Sequence, residues 1–249
     1  MSFDDQRGYP VRCEWGLEGL TRLLPGCQVV VLVDVLSFTT SVTTAVERGA
    51  WVYPFNGPPQ AAEQFAASIG CVLADRDWAN TERFSLIPTS LLEIPAGTRL
   101  VLPSANGARL SLAAGEVPVI AACLRNARAA ARAAQTLGEP ILVVPAGERW
   151  LEAGGGGMTE LMRPALEDLL GAGAVISHLN GRRSPEAAAA AAVYEGLLPN
   201  LLEIMMECSS GRELVARQRE ADVRYSAELD ASQAAPVLVE GAYSLMQSP

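Results

Sequence analysis

The chain has 249 residues, 49% of them hydrophobic and 19% charged, so it is long and apolar enough to bury a substantial core. Its net charge of −9 excludes the basic surface that binding to nucleic acid requires, and we predict no nucleic-acid partner. No run of about 18 apolar residues is free of charged or turn-forming residues, so we predict no membrane span and no membrane partner.

Several residue types are absent or rare, and this narrows the possible chemistry. The chain has no lysine, which excludes Schiff-base chemistry and the lysine of a phosphate-binding P-loop. His178 is the only histidine, so histidine-rich metal sites are excluded. The scattered cysteines form no Cys-x-x-Cys pair, which indicates reduced, mostly buried thiols. With an acidic start that lacks the features of a signal peptide, the sequence predicts a cytoplasmic protein.

Apolar runs alternate with helical runs along most of the chain. Residues 28–35 are almost all apolar, which is typical of a parallel strand buried on both faces. A helix over 41–48, ended by Gly49, leads to a strand over Trp51–Phe55. A helix over 58–69 begins with proline and ends at Gly70. Further strands are predicted over 71–74, 99–102, 117–122 and 141–144, and further helices over Gly107–Ala113 and 126–137.

The pattern changes after Trp150. The glycines of 154–157 predict a flexible loop or lid, followed by a helix near 159–170 and a strand over 174–179. Residues 184–219 read as almost entirely helical, and 237–239 as a last strand. The alternation predicts an α/β fold, a three-layer α/β/α arrangement with a mainly parallel sheet and a helical C-terminal part. We predict a single domain over 1–249, with a possible subdivision near 150–158.

Polar residues gather where the predicted strands end. Asp34 closes the first buried strand, and other strands run into loops that contain Ser104 to Gly107, Arg125 to Asn126 and Gly147 to Glu148. Each loop taken alone is explained by helix capping or turn formation. Since ligands bind at the carboxyl ends of strands in open parallel sheets, the four loops together favour a binding site.

The residue types at these loops suit an anion and a hard metal ion. Helix N-termini bind phosphate without lysine, and arginines can add paired hydrogen bonds; the candidates are Arg109, Arg125 and Arg149. Carboxylates hold Mg²⁺, and the candidates are Asp34, Glu148, Glu167 and Asp168. A haloacid-dehalogenase phosphatase is disfavoured, because its second aspartate is replaced here by Leu36.

Taken in order, these segments resemble the 2-phosphosulfolactate phosphatase (ComB-like) family. The matching segments are Val33-Asp34-Val35-Leu36, Thr39-Thr40, Glu47-Arg48-Gly49-Ala50, Ser104-Ala105-Asn106-Gly107, Leu124-Arg125-Asn126-Ala127, Ala146-Gly147, Leu166-Glu167-Asp168 and Gly171-Ala172-Gly173. The resemblance extends from residue 28 to 173, and more loosely over the helical tail. No single motif is decisive, and the order and spacing of the segments carry the match.

The resemblance implies Mg²⁺-dependent hydrolysis of a small phosphorylated acid, 2-phosphosulfolactate, to sulfolactate, a step of coenzyme M biosynthesis. It implies Asp34 and Asp168 as catalytic residues and Asp34, Glu167 and Asp168 as metal ligands. The residues implied to bind substrate or phosphate are Ser104, Asn106, Gly107, Arg125, Asn126 and Gly147. The group that attacks phosphorus or activates water stays open.

Three departures from the family pattern keep other functions open. Ser37 stands where the family usually has an arginine, and the segments 74–78 and 86–90 differ from their family counterparts. A lost arginine removes a contact to an anionic part of the substrate. The alternatives are therefore a divergent enzyme with another substrate and a catalytically silent member that binds an anion or a partner. A homo-oligomer is possible through the apolar stripe Leu197, Leu201, Ile204 and Met205, although such stripes more often belong to a core.

Overall fold

A computed structural model describes residues 4–75, 83–151 and 158–246. In chain order the strands are β1 Val11–Cys13, β2 Val29–Val33, β3 Trp51–Phe55, β4 Val72–Leu73, β5 Arg99–Pro103, β6 Val119–Ala122, β7 Ile141–Pro145, β8 Glu148–Leu151, β9 Met158–Arg163, β10 Pro236–Val239 and β11 Ala242–Leu245. The helices are α1 Gly16–Leu23, α2 Phe38–Glu47, α3 Pro59–Ile69, α4 Gly107–Ala113, α5 Ala127–Leu137, α6 Leu166–His178, α7 Pro185–Leu197, α8 Leu201–Glu207, α9 Ser209–Ala216 and α10 Glu220–Ser226. Short 3₁₀ helices cover Pro88–Leu91, Leu124–Asn126 and Leu198–Asn200.

Within the described residues the main sheet has nine strands in the order β1-β7-β2-β6-β10-β11-β3-β5-β4. The strands β1, β7, β2 and β6 pair in parallel, and so do β3, β5 and β4. The hairpin β10–β11 lies between these two groups and pairs antiparallel with β6 on one side and β3 on the other. Helices cover both faces, which confirms the predicted α/β class with a mainly parallel sheet.

Strand β2 shows why an unbroken apolar run marks the centre of this sheet. All five of its residues are at most 2% exposed. Val29, Val31 and Val33 belong to a core cluster with residues of α5, α6 and α7. Val30 and Leu32 belong to a second cluster with residues of α1, α2 and α4. Because both faces are covered, alternation of polar and apolar residues is absent from this strand.

Helix α2 follows β2 and is buried over almost its whole length although it is rich in threonine. The hydroxyl of Thr43 donates to the carbonyl of Thr39 at 2.8 Å, and that of Thr44 donates to the carbonyl of Thr40 at 2.8 Å. The hydroxyl of Thr40 donates to the carbonyl of Val35 at 2.7 Å. These bonds satisfy the hydroxyls inside the core, so the helix tolerates burial and holds the end of β2 in place.

The segment after Trp150 differs from the sequence prediction. The helix predicted near 159–170 is wrong, because Met158–Arg163 form strand β9, which pairs with β8 in a separate two-stranded sheet. The strand predicted over 174–179 is also wrong, because α6 runs to His178. A helix buried on every side has a continuous apolar run, and such a run cannot be distinguished from a buried strand by periodicity. The loop predicted at 154–157 lies outside the described residues, as do positions 76–78 of the first departing segment.

Small residues let α6 pack closely on the sheet. A Cβ atom at Gly171 would lie 2.7 Å from both Val33 Cγ1 and Val35 Cγ2. The backbone of α6 at Gly171 therefore packs directly against these valine side chains. A Cβ atom at Gly173 would lie 2.6 Å from the Cβ of Tyr194 in α7. This close approach sets the first turn of α6 beside the end of β2.

Several other predictions are confirmed. The segment 184–219 is mainly helical, and a strand occupies Pro236–Val239, although its partner β11 was not predicted. In the apolar stripe, Leu201 and Met205 are buried, and Leu197 and Ile204 pack against the core, so the stripe is core. Among the helices that the structure describes, none is long and apolar enough to cross a bilayer. The single domain and the homo-oligomer stay predictions.

Candidate active site

Four carboxylates from three elements meet at one end of β2. Asp34 follows β2, Glu148 begins β8 directly after β7, and Glu167 and Asp168 lie in the first turn of α6. The charges of Asp34, Glu148 and Glu167 each raise the pKa of at least one other member, so the four groups lie close together. We call these four residues the carboxylate cluster.

Asp34 is buried and held by backbone hydrogen bonds. The N–H of Phe38 donates to Asp34 Oδ1 at 3.1 Å, and the N–H of Gly107 also bonds to this carboxylate. Burial raises the pKa of Asp34 to about 6, although both backbone bonds lower it, and the charge of Glu167 raises it further. A charged Asp34 is therefore costly unless a cation lies beside it.

Gly107 is the residue that lets α4 approach Asp34. A Cβ atom there would lie 2.7 Å from Asp34 Oδ2 and would overlap the ring of Phe38. The absence of a side chain thus brings a backbone N–H within reach of the carboxylate. Gly147 has a different reason for being glycine, since its φ of 71° is rarely adopted by other residues.

Asp168 is buried and uses both of its oxygens. Its Oδ1 accepts the N–H of Val35 at 2.8 Å, and its Oδ2 accepts the N–H of Gly147 at 2.9 Å. Burial raises the pKa of Asp168 well above its ordinary value, and the charges of Asp34 and Glu167 raise it further.

Glu148 is half-buried and is oriented by a neighbouring amide. The Nδ2 group of Asn106 donates to Glu148 Oε2 at 2.9 Å. Burial raises the pKa of Glu148 to about 8, and the charges of Asp34 and Glu167 act in the same direction. The charge of Arg163 opposes this shift. Glu148 therefore carries a proton at neutral pH in the absence of a cation.

Glu167 is the member of the cluster that lacks a complete set of partners. It is 1% exposed, and its Oε2 atom has no hydrogen-bond partner among the residues that the structure describes. Burial raises the pKa of the Cys208 thiol, and the charge of Glu167 raises it further. The Cys208 thiol therefore lies close to Glu167. A buried carboxylate oxygen without a partner is costly, and this cost calls for a ligand.

The cluster supplies the oxygen donors that a magnesium ion prefers. In residues 4–75, 83–151 and 158–246, no group of three or more His, Cys, Asp or Glu side chains is placed to hold a metal by itself. Mg²⁺ rarely uses such a cage, since it is commonly held by one or two carboxylates, water and substrate phosphate. The Glu167 oxygen without a partner and the raised pKa values of Asp34 and Glu148 suit that mode of binding.

A cavity of about 290 Å³ opens beside the cluster. Asn106, Gly147 and Glu148 line the part that belongs to the site, and Arg109 and Arg149 line it as well. Trp15, Leu17, Leu161 and Met162 supply an apolar wall. Its size and its arginines suit a small acid, and Glu148 brings one member of the carboxylate cluster into contact with any ligand there.

Other residues implied by the resemblance have partners elsewhere in the fold. The Arg125 guanidinium forms an ion pair with Glu228, donates to the carbonyl of Tyr225 at 2.8 Å and lies over the Tyr225 ring. The Ser104 hydroxyl accepts the N–H of Gly107 at 3.2 Å and lines a second cavity of about 300 Å³. Arg125 therefore bonds away from the carboxylate cluster, whereas Ser104 lies next to the cluster, since the same Gly107 N–H also bonds Asp34.

Asn126 is fully buried and its amide is occupied by main-chain groups. Its Oδ1 accepts the N–H of Cys123 at 2.8 Å, and its Nδ2 donates to the carbonyls of Ala121 at 3.1 Å and Ala234 at 2.9 Å. These bonds tie the end of β6 to the segment that precedes β10. Asn126 thus has a structural task that its place in the sequence did not reveal.

We expect Asn126→Ala to destabilise the protein by more than about 2 kcal/mol, because three buried main-chain groups lose their partner. Urea unfolding followed by circular dichroism would measure this loss. The KM of the folded fraction should stay unchanged. An unaltered unfolding midpoint with a raised KM would instead support a role for Asn126 in substrate binding.

Sequence reasoning missed Arg163, whose charge acts on Glu148 and whose Nη2 donates to Ser210 Oγ at 3.4 Å. The sequence predicts a helix near 159–170, and this prediction hides Arg163, which lies at the end of β9. Glu148 is one of the candidate magnesium ligands in the sequence, but the resemblance does not imply a role for it. Its position directly after β7 was the signal that could have selected it.

The fold and the site define an α/β protein with buried carboxylates beside an arginine-lined cavity, as suits an enzyme acting on a small anionic substrate. A family model described as 2-phosphosulpholactate phosphatase matches residues 20–241. The chain therefore belongs to the 2-phosphosulpholactate phosphatase family, whose name describes phosphatases, that is, phosphoric monoester hydrolases.

Similar proteins cover nearly the whole chain. A probable 2-phosphosulfolactate phosphatase of Thermotoga maritima is 27% identical over 228 residues, 90% of this chain and 94% of the relative. One of Gloeobacter violaceus is 30% identical over 234 residues, 87% of this chain and 92% of the relative. The 2-phosphosulfolactate phosphatase of Methanothermobacter thermautotrophicus is 28% identical over 225 residues, 89% of this chain and 92% of the relative.

Proposed function

We propose that the chain is a Mg²⁺-dependent phosphatase of a small phosphorylated acid, with 2-phosphosulfolactate as the first candidate substrate and sulfolactate as the product. The observation that carries this proposal is the carboxylate cluster, with its orphaned Glu167 oxygen, beside the arginine-lined cavity. The names of the family and of its relatives support the reaction and the substrate. A place in coenzyme M biosynthesis belongs to the same proposal.

In this proposal Asp34 and Glu167 hold the ion, and Glu148 faces the substrate. Bound Mg²⁺ supplies charge neutralisation at the phosphate oxygens and lowers the pKa of water. Arg109 and Arg149 pair with acid groups of the ligand in the cavity.

Glu148 is suited to proton transfer. Its Oε2 accepts the hydrogen bond of Asn106, which leaves Oε1 as the oxygen that can carry a proton and donate it to the departing oxygen of the substrate. A carboxyl group with a pKa of about 8 keeps this proton at neutral pH and is a general acid matched to its working range.

Phosphate release by the purified protein tests the proposal. The substrates would be 2-phosphosulfolactate, 2-phospholactate, 2-phosphoglycerate and phosphoenolpyruvate, each with Mg²⁺ and with EDTA. We expect release that EDTA abolishes, fastest with a substrate that carries a second acid group. Absence of release from every substrate in the presence of Mg²⁺ would contradict the proposal and favour a silent, ligand-binding member of the family.

The pH dependence of stability provides a second test. The folded protein keeps protons on Glu148 up to a pKa of about 8 and on Asp34 up to about 6, whereas the unfolded chain releases them near the ordinary values of 4.5 and 3.8. The folded state thus binds more protons in between, so its stability falls as the pH rises from about 3.8 to about 8. Mg²⁺ held by Asp34 and Glu167 replaces the proton of Asp34, so it should stabilise most above the Asp34 pKa of about 6.

Thermal unfolding at several pH values, with EDTA or Mg²⁺, would measure both effects. In EDTA we expect the Tm to fall towards pH 8, and Mg²⁺ to raise it more there than at about pH 5. Glu148→Gln should flatten the fall in EDTA, because the pKa of Glu148 is raised further from its ordinary value than that of Asp34. A Mg²⁺ effect of equal size at every pH would count against the cluster as the binding site.

A further inference from the structure

Asp168 differs from its neighbour Glu167 in the use of its oxygens. Each Asp168 oxygen accepts one main-chain N–H, from Val35 at 2.8 Å and from Gly147 at 2.9 Å. Glu167, one residue earlier, has an oxygen without a partner among the residues that the structure describes. The two acids of the same helical turn are therefore unequal, because Asp168 has both oxygens bonded to the main chain and Glu167 has a buried oxygen that lacks a described partner.

The two N–H groups that Asp168 accepts belong to the loops that carry the reacting groups. Val35 directly follows Asp34, and Gly147 directly precedes Glu148. These loops follow β2 and β7, which are neighbours in the sheet and whose pairing ends at Val33 and Pro145. Just beyond the paired residues, the N–H of Ala146 still donates to the carbonyl of Val33 at 2.8 Å. Asp168 then connects the two loops where they separate after the strands.

The helix that carries Asp168 is itself fixed against β2. Gly171 lies against Val33 and Val35 so closely that a Cβ atom would be 2.7 Å from each side chain. Asp168 therefore reaches both loops from a rigid support. A carboxylate in this position sets the distance between Asp34 and Glu148.

We infer that Asp168 is a positioning residue, which clamps the Asp34 and Glu148 loops in register through two main-chain hydrogen bonds and does not ligate the metal ion. This inference rests on the proposed metal-dependent hydrolysis for its effect on rate. The clamp itself rests on the hydrogen bonds alone.

The test compares Asp168→Asn with Glu167→Gln. In Asp168→Asn the amide oxygen keeps one N–H, while the amide NH₂ group faces the other and leaves it without an acceptor. We expect kcat to fall by about 10- to 100-fold, as for residues that orient a metal site, with KM changed less than about threefold. Mg²⁺ binding, measured by calorimetry without substrate, should weaken far less than in Glu167→Gln.

A second variant, Asp168→Glu, separates positioning from ligation. It keeps the carboxylate that a metal ligand needs, but its extra methylene moves the oxygens so that they no longer meet both N–H groups. A positioning residue predicts that this variant is as slow as Asp168→Asn. Activity close to that of the original protein, or loss of Mg²⁺ binding in Asp168→Asn equal to that in Glu167→Gln, would overturn the inference.

Asp222→Asn is the matched control, because Asp222 is also buried and accepts two hydrogen bonds, from the N–H and the hydroxyl of Thr89, at 3.1 and 2.7 Å. Both bonds end on Oδ1, which an amide oxygen can replace, so this variant should fold and keep its kcat. Failure of both Asp168 variants to fold, with a folded Asp222→Asn, would also overturn the inference, since Asp168 would then serve the fold as a whole.

Amide hydrogen exchange tests the clamp without any turnover. In the original protein the N–H groups of Val35 and Gly147 should exchange slowly, and in Asp168→Asn at least one should exchange about tenfold faster or more. If no substrate is hydrolysed by the original protein, the proposed function fails while this measurement still decides the clamp. Unchanged exchange rates at both amides in Asp168→Asn would contradict the clamp by Asp168.

Discussion

Asp34→Asn is expected to lower metal-dependent phosphate release by more than about 100-fold, the largest effect on activity that we expect from a single substitution. Asparagine keeps the shape of the side chain, and its oxygen can still accept the N–H of Phe38. It lacks the negative charge that holds a divalent cation, and its NH₂ group faces the N–H of Gly107. The loss should therefore appear in metal binding and in kcat.

Asp34→Asn should still fold. Removal of a buried charge stabilises the protein, whereas the N–H of Gly107 loses its acceptor and destabilises it, so the two effects oppose each other. Phosphate release, calorimetric Mg²⁺ titration and Tm would be measured together. Asp222→Asn serves again as a buried aspartate outside the site, with kcat unchanged. Full activity of Asp34→Asn would exclude Asp34 as a metal ligand and as a catalytic group.

Gly107→Ala is expected to have the second-largest effect, because a methyl group has no room there. The added Cβ would lie 2.7 Å from Asp34 Oδ2 and would overlap the ring of Phe38, so α4 must move away from β2. We expect a loss of about 1–3 kcal/mol in the free energy of unfolding, as for overpacked cores. We also expect kcat to fall by about 100-fold, since a shift of about 1 Å disturbs the reacting geometry.

Gly196→Ala is the matched control for Gly107→Ala. Gly196 lies in α7, and a Cβ atom added there would have no described atom within 4 Å, so alanine adds helix propensity without a clash. Its stability should rise slightly and its activity should stay constant. Urea denaturation and phosphate release would measure both variants. A Gly107→Ala protein as stable and active as Gly196→Ala would contradict the close approach at Asp34.

The prediction of the fold depended on local signals that the tertiary structure did not override. Residues 28–35 contain a strand because both sheet faces are covered, and Trp51–Phe55 and Gly107–Ala113 agree with their observed bounds. Gly70 ends α3 with a φ of 65°, as its place after the helix predicted. Where α6 is buried on all sides, the apolar run lost its helical period and the prediction became wrong.

The sequence predicts where the candidate site lies in the fold, but it does not predict which hydrogen-bond partners the side chains have there. Asp34, Asn106, Gly107, Gly147, Glu167 and Asp168 were selected from loops and a helix start, and the structure brings them together. Arg125 and Asn126 come from equivalent loops and bond elsewhere, and Ser104 reaches the site only through the N–H of Gly107. A loop position shows which end of the sheet a residue occupies, but not which partner its side chain finds there.

The sequence by itself determined the class of fold, the chemistry that is excluded and the end of the sheet at which polar groups collect. These follow from composition and from short-range periodicity, which act through neighbouring residues. Only the tertiary structure decided that Asp168 accepts the N–H of Val35, 133 positions away, and that of Gly147, 21 positions away. It also decided that one Glu167 oxygen has no hydrogen-bond partner among the described residues. Such partners depend on how α6 packs against β2, and that packing is the sum of many contacts distant in sequence.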